Sequence, residues 1–242
     1  KDSGGGIIFI TICRDEGLLE RLREEGFDVH VLAQSYPDQG DWDYTGRVLS
    51  EHPDAWVVLD GYHFDGNYQR LVKKSGNCLL VIDDNAHLEH YFADILLNLN
   101  FHAGQLRYSF DPQTRLLLGT CYVLLRREFR AWRGWMREVS RIAQHVLVTL
   151  GGSDPANNTL KVIQALHMTG SPDLEVIAII GAINPNLDVV RAAIKNINLP
   201  IRIVHNATNM PELMAWADIA ISTSSSTYYE LAYMSVPGIV MA

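Results

Sequence analysis

Short apolar runs alternate along the chain with longer segments in which apolar residues recur every three or four positions. The first run, residues 7–12, precedes a segment with Leu18, Leu19 and Leu22 on one predicted helix face and Gly26 at its end. This alternation is typical of βα units around a parallel sheet, because each parallel strand needs a crossover connection to the next. The pattern therefore predicts an α/β protein.

The same pattern predicts elements through the rest of the chain. We expect strands at residues 29–32, 56–60, 78–84, 93–98, 145–150, 174–180, 201–204, 218–222 and 238–241. We expect helices at residues 15–25, 44–52, 187–197, 210–216 and 227–234, and one with Asp154 as its N-cap and Pro155 in its first position. Polar residues follow the strands, and ligands of open α/β sheets bind at the carboxyl ends of strands. The candidate site therefore lies along that edge.

A stretch without a strand signal divides the chain. Residues 129–140 are rich in arginine and tryptophan, and we place a domain junction there. This gives an N-terminal Rossmann-like domain at 1–139 and a C-terminal one at 140–242, because 242 residues exceed the about 100 to 200 of an ordinary single domain. Two parallel sheets facing each other would leave a central cleft, which is a usual place for a small ligand.

Composition and charge narrow the classes of function. The formal net charge of −8 offers no basic surface for nucleic acid, although helix N-termini can still bind small phosphates through backbone amides. No apolar run reaches the about 18 residues that span a bilayer, and no signal-peptide pattern opens the chain. The three cysteines are odd in number and widely spaced, so we expect buried, reduced thiols. These observations predict a cytoplasmic protein without nucleic-acid or membrane partners.

Two turns of small residues are candidates for phosphate binding. Residues 223–230, Thr-Ser-Ser-Ser-Thr-Tyr-Tyr-Glu, join a strand to a helix whose first amides and dipole attract a diphosphate, and Glu230 could accept hydrogen bonds from ribose hydroxyls. The alternative is a capping box between Thr227 and Glu230 that needs no ligand. The run Gly151-Gly152-Ser153-Asp154 is a second such turn, and it could equally be a plain loop.

Polar clusters follow two predicted strands of the first half. Residues 60–65 include His63, which could act as an acid or base or simply lie at the surface. Residues 83–87, with two aspartates and His87, resemble a metal cluster when His90 is added, but their spacing matches no zinc or calcium pattern. We expect the carboxylates to fix the loop by hydrogen bonds and to line the cleft, with no metal and no cofactor.

Several motifs together resemble a known family over nearly the whole chain. They are Val81-Ile82-Asp83-Asp84, Leu116-Leu117-Leu118-Gly119, Tyr122-x-x-Leu125-Arg126-x-x-Phe129, Val148-Thr149-Leu150-Gly151-Gly152-Ser153-Asp154-Pro155, Asn209-Met210-x-x-Leu213-Met214 and Ala217-Asp218-Ile219-Ala220-Ile221-Ser222. This set is similar to the UDP-sugar hydrolases of pseudaminic acid biosynthesis. The resemblance implies a GT-B fold, similar to that of the N-acetylglucosaminyltransferase that makes lipid II. It also implies hydrolysis of UDP-2,4-diacetamido-2,4,6-trideoxy-β-L-altropyranose to UDP and the free sugar.

The resemblance also implies roles for individual residues. UDP would be held by residues 222–230 with Glu230 on the ribose, uracil would lie beside residues 206–210, and the Gly152 turn would face the diphosphate and sugar. Tyr62, on the sugar side, is the catalytic residue that we expect within this chain. The substrate-binding residues implied in this way are Gly152, Ser153, Asn206, Met210, Ser225, Ser226, Thr227 and Glu230.

Two departures from the family bear on activity. Ser224 and Ser225 stand where related glycosyltransferases tend to have glycines, so the turn accepts positive φ angles less readily. The family begins with a strand and a Gly-x-Gly-His-x-x-Arg turn whose histidine is the base for water. We expect this chain to start after that region and therefore to lack this histidine. We also expect it to end before the end of the family's C-terminal domain. Because general-base help is worth about 10² to 10⁴ in rate, we expect UDP binding with little or no turnover. The alternatives are a nucleotide-sugar glycosyltransferase of GT-B fold and a non-catalytic UDP-binding fragment.

Overall fold

A computed structural model describes residues 4–223 and 225–241. Ser224, one of the two serines that replace glycines, therefore lies outside the described residues, as do residues 1–3 and 242. The chain divides into two compact units between Val123 and Leu124. Both units are α/β with parallel strands, which confirms the predicted fold class.

The first unit contains two parallel sheets. Strands β1 and β2 pair with each other, and strands β3 to β6 form a four-stranded sheet in chain order. Among the described residues no helix is long and apolar enough to cross a membrane. The elements of this unit are β1 (Ile8–Thr11), α1 (Glu16–Glu24), β2 (Asp28–Val31), α2 (Gln39–Glu51), β3 (Trp56–Asp60), α3 (Gly66–Lys74), β4 (Cys78–Ile82), β5 (Ile95–Asn98) and β6 (Arg115–Leu118), with short 3₁₀ turns at Ala103–Gln105 and Thr120–Tyr122.

The core of the first unit lies under helices α2 and α3. Leu49 of α2 and Val72 of α3 are buried against Leu59, Leu79 and Leu96 of the four-stranded sheet. The register pairs Leu59 with Val81, so these side chains alternate onto one face of the sheet. This packing fixes the carboxyl ends of β3 and β4 side by side, and the polar loops that follow them start there.

The second unit is a five-stranded parallel sheet in the order β11-β10-β7-β8-β9. The connection from β9 crosses back over β7 and β8 to reach β10, which is the doubly wound arrangement of a Rossmann-like unit. The elements are a 3₁₀ turn (Arg127–Trp132), β7 (His145–Thr149), α4 (Asn158–Met168), β8 (Glu175–Ile180), α5 (Leu187–Ile194), β9 (Ile201–His205), α6 (Met210–Trp216), β10 (Ile219–Thr223), α7 (Ser226–Tyr233) and β11 (Gly238–Met241).

The boundary between the units lies earlier than the predicted junction at 139/140, because the aromatic residues before that junction pack on the core of the second unit. Phe129 is 1% exposed and shares a hydrophobic cluster with Leu147 and Met214. Trp132 and Trp135 pack against the same cluster. The aromatic residues that mark the composition shift are therefore core residues of the second unit.

One predicted helix start is wrong. Helix α4 begins at Asn158, and Pro155 lies outside it, because Asp154 and Asn157 both have positive φ angles that a helix does not continue through. Helix α7 begins at Ser226, one residue before the predicted start, and the capping box between Thr227 and Glu230, which was the alternative to a ligand, does not form. The N-cap of α7 is Ser225, which makes no side-chain capping bond, so Glu230 is free of that local role.

The cysteines are free, as predicted, but they are not buried. Cys13 is half-buried, and Cys78 and Cys121 are exposed. Cys78 pairs in register with Trp56, which is itself 53% exposed, so both lie on a face of the four-stranded sheet that α2 and α3 do not cover. Whether a cysteine in this sheet is buried therefore depends on whether helices cover its face of the sheet, and not on how apolar the strand is.

Candidate functional site

The two small-residue turns of the second unit lie beside each other. Strands β7 and β10 are neighbours, with Thr149 opposite Ser222, and the chain leaves them toward opposite sides of the sheet. This is the topological switch point, where the carboxyl ends of an open α/β sheet leave a crevice for a ligand. A Cβ on Gly151 would stand 3.8 Å from Oγ1 of Thr223, so the turns are in van der Waals reach of each other.

The glycine turn after β7 depends on a close backbone approach. Gly151 has φ +88°, a conformation that other residues rarely adopt. A Cβ on Gly181, which follows β8, would lie 2.2 Å from the carbonyl oxygen of Gly152. Gly152 and Ser153 are exposed at this edge. The backbone of this turn therefore lies directly against the backbone at the end of β8, and the turn is exposed to solvent on its other side.

Asp154 holds the end of that turn. Its Oδ1 accepts a hydrogen bond from the amide of Asn158 at 2.8 Å, and its Oδ2 accepts from the amide and the hydroxyl of Thr159 at 2.8 and 2.7 Å. Asp154 is 5% exposed. The first amides of α4 are thus satisfied within the protein, whereas Ser225, the N-cap residue of α7, makes no side-chain capping bond in the part of the chain that the structure describes.

Glu230 lies one turn inside α7 and is bound by an arginine. Nε of Arg126 donates to its Oε1 at 2.7 Å, and Nη2 of Arg126 donates to its Oε2 at 2.8 Å. Glu230 is 5% exposed. Burial would lower the pKa of Arg126, but the hydrogen bonds and charge of Glu230, with the charge of Glu128, raise it above its usual value. Arg126 therefore stays charged at neutral pH, and its two hydrogen bonds fix the carboxyl group of Glu230 near the Ser225 turn.

Asn206 and Met210, the other two residues that the resemblance places beside the nucleotide, differ in their exposure to solvent. Asn206 follows β9 at the same edge of the sheet, where it is exposed with φ +49° and its amide donates to the carbonyl of Ile180 at 2.9 Å. Met210 starts α6 and is 4% exposed, packed in the hydrophobic cluster with Leu213. Met210 is therefore a core residue, and its side chain is not exposed to a ligand.

The first unit carries the remaining predicted residue, Tyr62, directly after β3. Its ring is 56% exposed and meets the ring of His87 edge-on at 5.3 Å, and its hydroxyl donates to Oδ2 of Asp84 at 3.4 Å. Partial burial and the charges of Asp84 and Asp83 raise the pKa of Tyr62. Tyr62 therefore remains a neutral hydrogen-bond donor at neutral pH.

The loop after β4 is fixed by carboxylates, as predicted. Oδ1 of Asp83 accepts from the amides of Asn85 and Ala86, both at 2.7 Å. Oδ1 of Asp84 accepts from the side-chain amide of Asn100 at 2.9 Å. His63, the other candidate of this edge, is exposed and stacks on Phe64 with ring centroids 4.0 Å apart.

Sequence reasoning missed two partners in this arrangement. Arg126 was part of a motif without a role, and its partner Glu230 is 104 residues away. The contact between Asp83 and His87 was not predicted, because both residues belong to a group whose composition resembles a metal cluster. The only sequence signal for the second contact was the four-residue spacing of the aspartate and the histidine.

Comparison with known proteins agrees with this geometry in the second unit. Residues 145–242 match the model of the glycosyltransferase family 28 C-terminal domain. The chain is similar to the uncharacterized protein MJ1062 of Methanocaldococcus jannaschii, with 26% identity over 97% of this chain and 48% of that protein. It is also similar to the spore coat polysaccharide biosynthesis protein SpsG of Bacillus subtilis, with 27% identity over 62% of this chain and 44% of that protein. The chain thus spans about half the length of the curated relatives it matches.

Solved structures share the fold over the whole chain. MurG of Acinetobacter baumannii superposes with a TM-score of 0.60 at 12% identity, covering 99% of this chain and 71% of that one. A glycosyltransferase of Rickettsia africae superposes with a TM-score of 0.56 at 12% identity, covering 99% and 72%. The fold is therefore the Rossmann-like α/β fold of GT-B proteins. The family 28 match of residues 145–242 and the similarity to SpsG agree with this fold, and none of these comparisons distinguishes hydrolysis from transfer.

Proposed function

We propose that this chain is part of an enzyme that hydrolyses a UDP-linked sugar to UDP and the free sugar. The observation that carries the nucleotide half of the proposal is the switch point of the second unit, where the Gly152 turn and the Ser225 turn adjoin next to the buried carboxylate of Glu230. The substrate that the sequence resemblance implies is UDP-2,4-diacetamido-2,4,6-trideoxy-β-L-altropyranose, on the way to a nonulosonic acid.

The nucleotide would bind with its diphosphate at the start of α7. Amides there lie at the positive end of the helix dipole, and Ser225, Ser226 and Thr227 add hydroxyl donors. Glu230, held in place by Arg126, would accept hydrogen bonds from the ribose hydroxyls. When the bond between the sugar and the diphosphate breaks, donors aimed at the phosphates stabilise the negative charge that develops on UDP.

Transfer to an alcohol is the second candidate reaction. The match of residues 145–242 to a glycosyltransferase domain favours it, since transfer and hydrolysis share the donor and the leaving group. Hydrolysis is favoured by the motifs of the sequence resemblance, which run through both units.

The proposed compartment is the cytoplasm, because the exposed free thiols of Cys78 and Cys121 persist in a reducing environment.

Release of UDP without an acceptor separates the two reactions. We expect the full-length protein to release UDP from the UDP-diacetamido sugar in buffer alone, measured with a coupled UDP assay. A rate that appears only when an alcohol acceptor is added would replace hydrolysis with transfer. Tight UDP binding by calorimetry with no turnover under either condition would identify a UDP-binding protein instead.

A substitution at Glu230 tests the nucleotide site itself. We expect Glu230→Gln to weaken UDP binding by about 10- to 100-fold, because hydrogen bonds to a charged group contribute about 1.5 to 3 kcal/mol. Binding of 2′,3′-dideoxy-UDP, which lacks the ribose hydroxyls, should change little. Glu212→Gln, at an exposed glutamate in the first turn of α6, is the matched control. Equal affinity of the wild-type protein for the two nucleotides would contradict the ribose role.

A further inference from the structure

Arg137 donates hydrogen bonds to the ends of two helices at once. It lies in the irregular segment before β7, within the second unit. Its Nη2 donates to the carbonyl of Met214 in α6 at 2.5 Å, and its Nη1 donates to the carbonyl of Ala217, the C-cap residue of α6. Its Nε donates to the carbonyl of Met234, the C-cap residue of α7, at 3.3 Å. One guanidinium therefore joins the last turn of α6 to the end of α7.

The three carbonyls belong to residues of the hydrophobic core. Met214, Ala217 and Met234 are fully buried and lie in the same hydrophobic cluster. The last carbonyls of a helix have no partner within the helix, and a buried carbonyl without a partner is costly. Burial lowers the pKa of Arg137 and the charge of Asp218 opposes this, but a guanidinium stays protonated at neutral pH. Arg137 therefore supplies both the missing donors and a positive charge at the negative ends of two helix dipoles.

The other ends of these helices lie at the candidate nucleotide site. In a parallel sheet a crossover helix starts near the carboxyl end of the preceding strand and runs back to the opposite edge. Helix α6 follows β9 and the loop at residues 206–209, and α7 follows β10 and the Ser225 turn. Both helices pack on one face of the sheet, in the cluster that includes Leu147 and Ile177. Arg137 thus joins the two helices at the edge of the sheet opposite to the site.

We propose that Arg137 is a positioning residue of the nucleotide site, which sets the distance between the uracil contacts at residues 206–210 and the diphosphate contacts at residues 225–227. The inference rests on the proposed function and on the uracil position that the sequence resemblance implies. A guanidinium is planar and fixes the direction of each bond, so α6 and α7 cannot shift independently while all three bonds remain. Arg137 acts through the helices rather than on the nucleotide itself.

The test compares UDP with two of its parts. UDP engages both subsites through one covalent link, so its affinity depends on their spacing, whereas uracil and inorganic pyrophosphate each engage one subsite. We expect Arg137→Met in the full-length protein to weaken UDP binding by about 10-fold, because a shifted subsite lowers the effective concentration of the second contact. The affinities for uracil and for pyrophosphate should change little. Calorimetry measures the first affinity, and NMR titration measures the two weaker ones.

Arg137→Lys separates positioning from charge. A lysine keeps a positive charge near the helix ends, but it presents a point charge on a flexible stem instead of a rigid planar group. We expect Arg137→Lys to recover part of the thermal stability that Arg137→Met loses and to bind UDP about as weakly as Arg137→Met. Wild-type UDP affinity in Arg137→Lys would overturn the proposal, since charge alone would then be sufficient.

Arg133→Met is the matched control, because Arg133 is an exposed arginine of the same segment, and it should leave UDP affinity unchanged. Wild-type UDP affinity in Arg137→Met, or equal losses for UDP, uracil and pyrophosphate, would overturn the positioning role while UDP binding by the wild-type protein still supported the proposed function. Failure of both Arg137 variants to fold, seen by circular dichroism, would leave Arg137 a folding role and would also overturn the proposal. Absence of UDP binding by the wild-type protein would contradict the proposed function and this inference with it.

Discussion

The carboxylate of Glu230 is held on both oxygens by the guanidinium of Arg126. The two N–H groups of a guanidinium match the two oxygens of a carboxylate in geometry. The contact therefore restricts the rotation of the Glu230 side chain and places a positive charge beside it. Glu230 is nearly fully buried, and removing the cation alone would leave a buried negative charge without a partner. At the scale of single residues, loss of this pair is expected to affect both the stability of the second unit and the position of the Glu230 carboxylate.

We expect Arg126→Met to lower the free energy of unfolding by about 3 kcal/mol, because an unpaired buried charge costs more than the pair contributed. It should also reduce the preference for UDP over 2′,3′-dideoxy-UDP, since Glu230 would no longer be fixed. Urea denaturation and calorimetry measure the two effects.

Arg191→Met is the control for this prediction, because Arg191 pairs with Asp188 at 3.6 Å on the surface. Exposed pairs of this kind contribute about 0 to 1 kcal/mol. Equal stability losses in the two variants would show that the contact between Arg126 and Glu230 has no special role.

At the scale of elements, Asp218 connects the start of β10 to the start of β7. Its carboxylate accepts from the hydroxyl of Ser140 at 2.6 Å and from the amides of Gln144 and His145, both at 2.9 Å. Burial opposes ionisation of Asp218, but these bonds and the adjacent His145 lower the pKa of its carboxyl to about 2. The two central strands of the second sheet are thus aligned by one ionised side chain.

The depressed pKa of Asp218 predicts a defined dependence of stability on pH. Since the folded-state pKa is below the ordinary value of about 3.9, the stabilisation is present above pH 4 and is lost as the pH falls toward 2. We expect a contribution of about 2 kcal/mol in that window. Urea denaturation of the wild-type protein and Asp218→Asn between pH 2 and 7 measures it, and the two stabilities should converge at the acidic end. A constant difference over the whole range would exclude the pH-linked part of this contribution.

At the scale of the whole molecule, the division between Val123 and Leu124 assigns Phe129 to the second unit. We expect Phe129→Ala to destabilise that unit by about 3 to 5 kcal/mol, because truncating a buried phenylalanine leaves a cavity. Hydrogen exchange should show the loss of protection in β7 and β10 and leave β3 to β5 nearly unchanged. Loss of protection centred on β3 to β5 would contradict the division.

Much of the fold could be predicted from the chain as written. Apolar runs predicted β3, β4, β7, β8 and β10 with bounds close to those observed. In β7 and β8 nearly every residue is buried, as expected of central parallel strands, whereas β3 and β4 are apolar although one face of their sheet is exposed. Strand β6 was missed because its four residues, Arg115–Leu118, carry no pattern beyond three leucines. The start of α4 was misplaced because Asp154 caps this helix from four residues upstream of Asn158, across two positive φ angles.

The candidate site was predicted in part. The sequence by itself determined the two small-residue turns and the carboxylate loop, because turn chemistry and strand ends are local properties of the chain. Only the tertiary structure decided that β7 and β10 are neighbours, that Arg126 holds Glu230, and that Met210 is a core side chain. It also decided that His87 is oriented by Asp83 and Tyr91. These features depend on sheet order and on how side chains are buried, which join residues far apart in the chain and leave no local pattern.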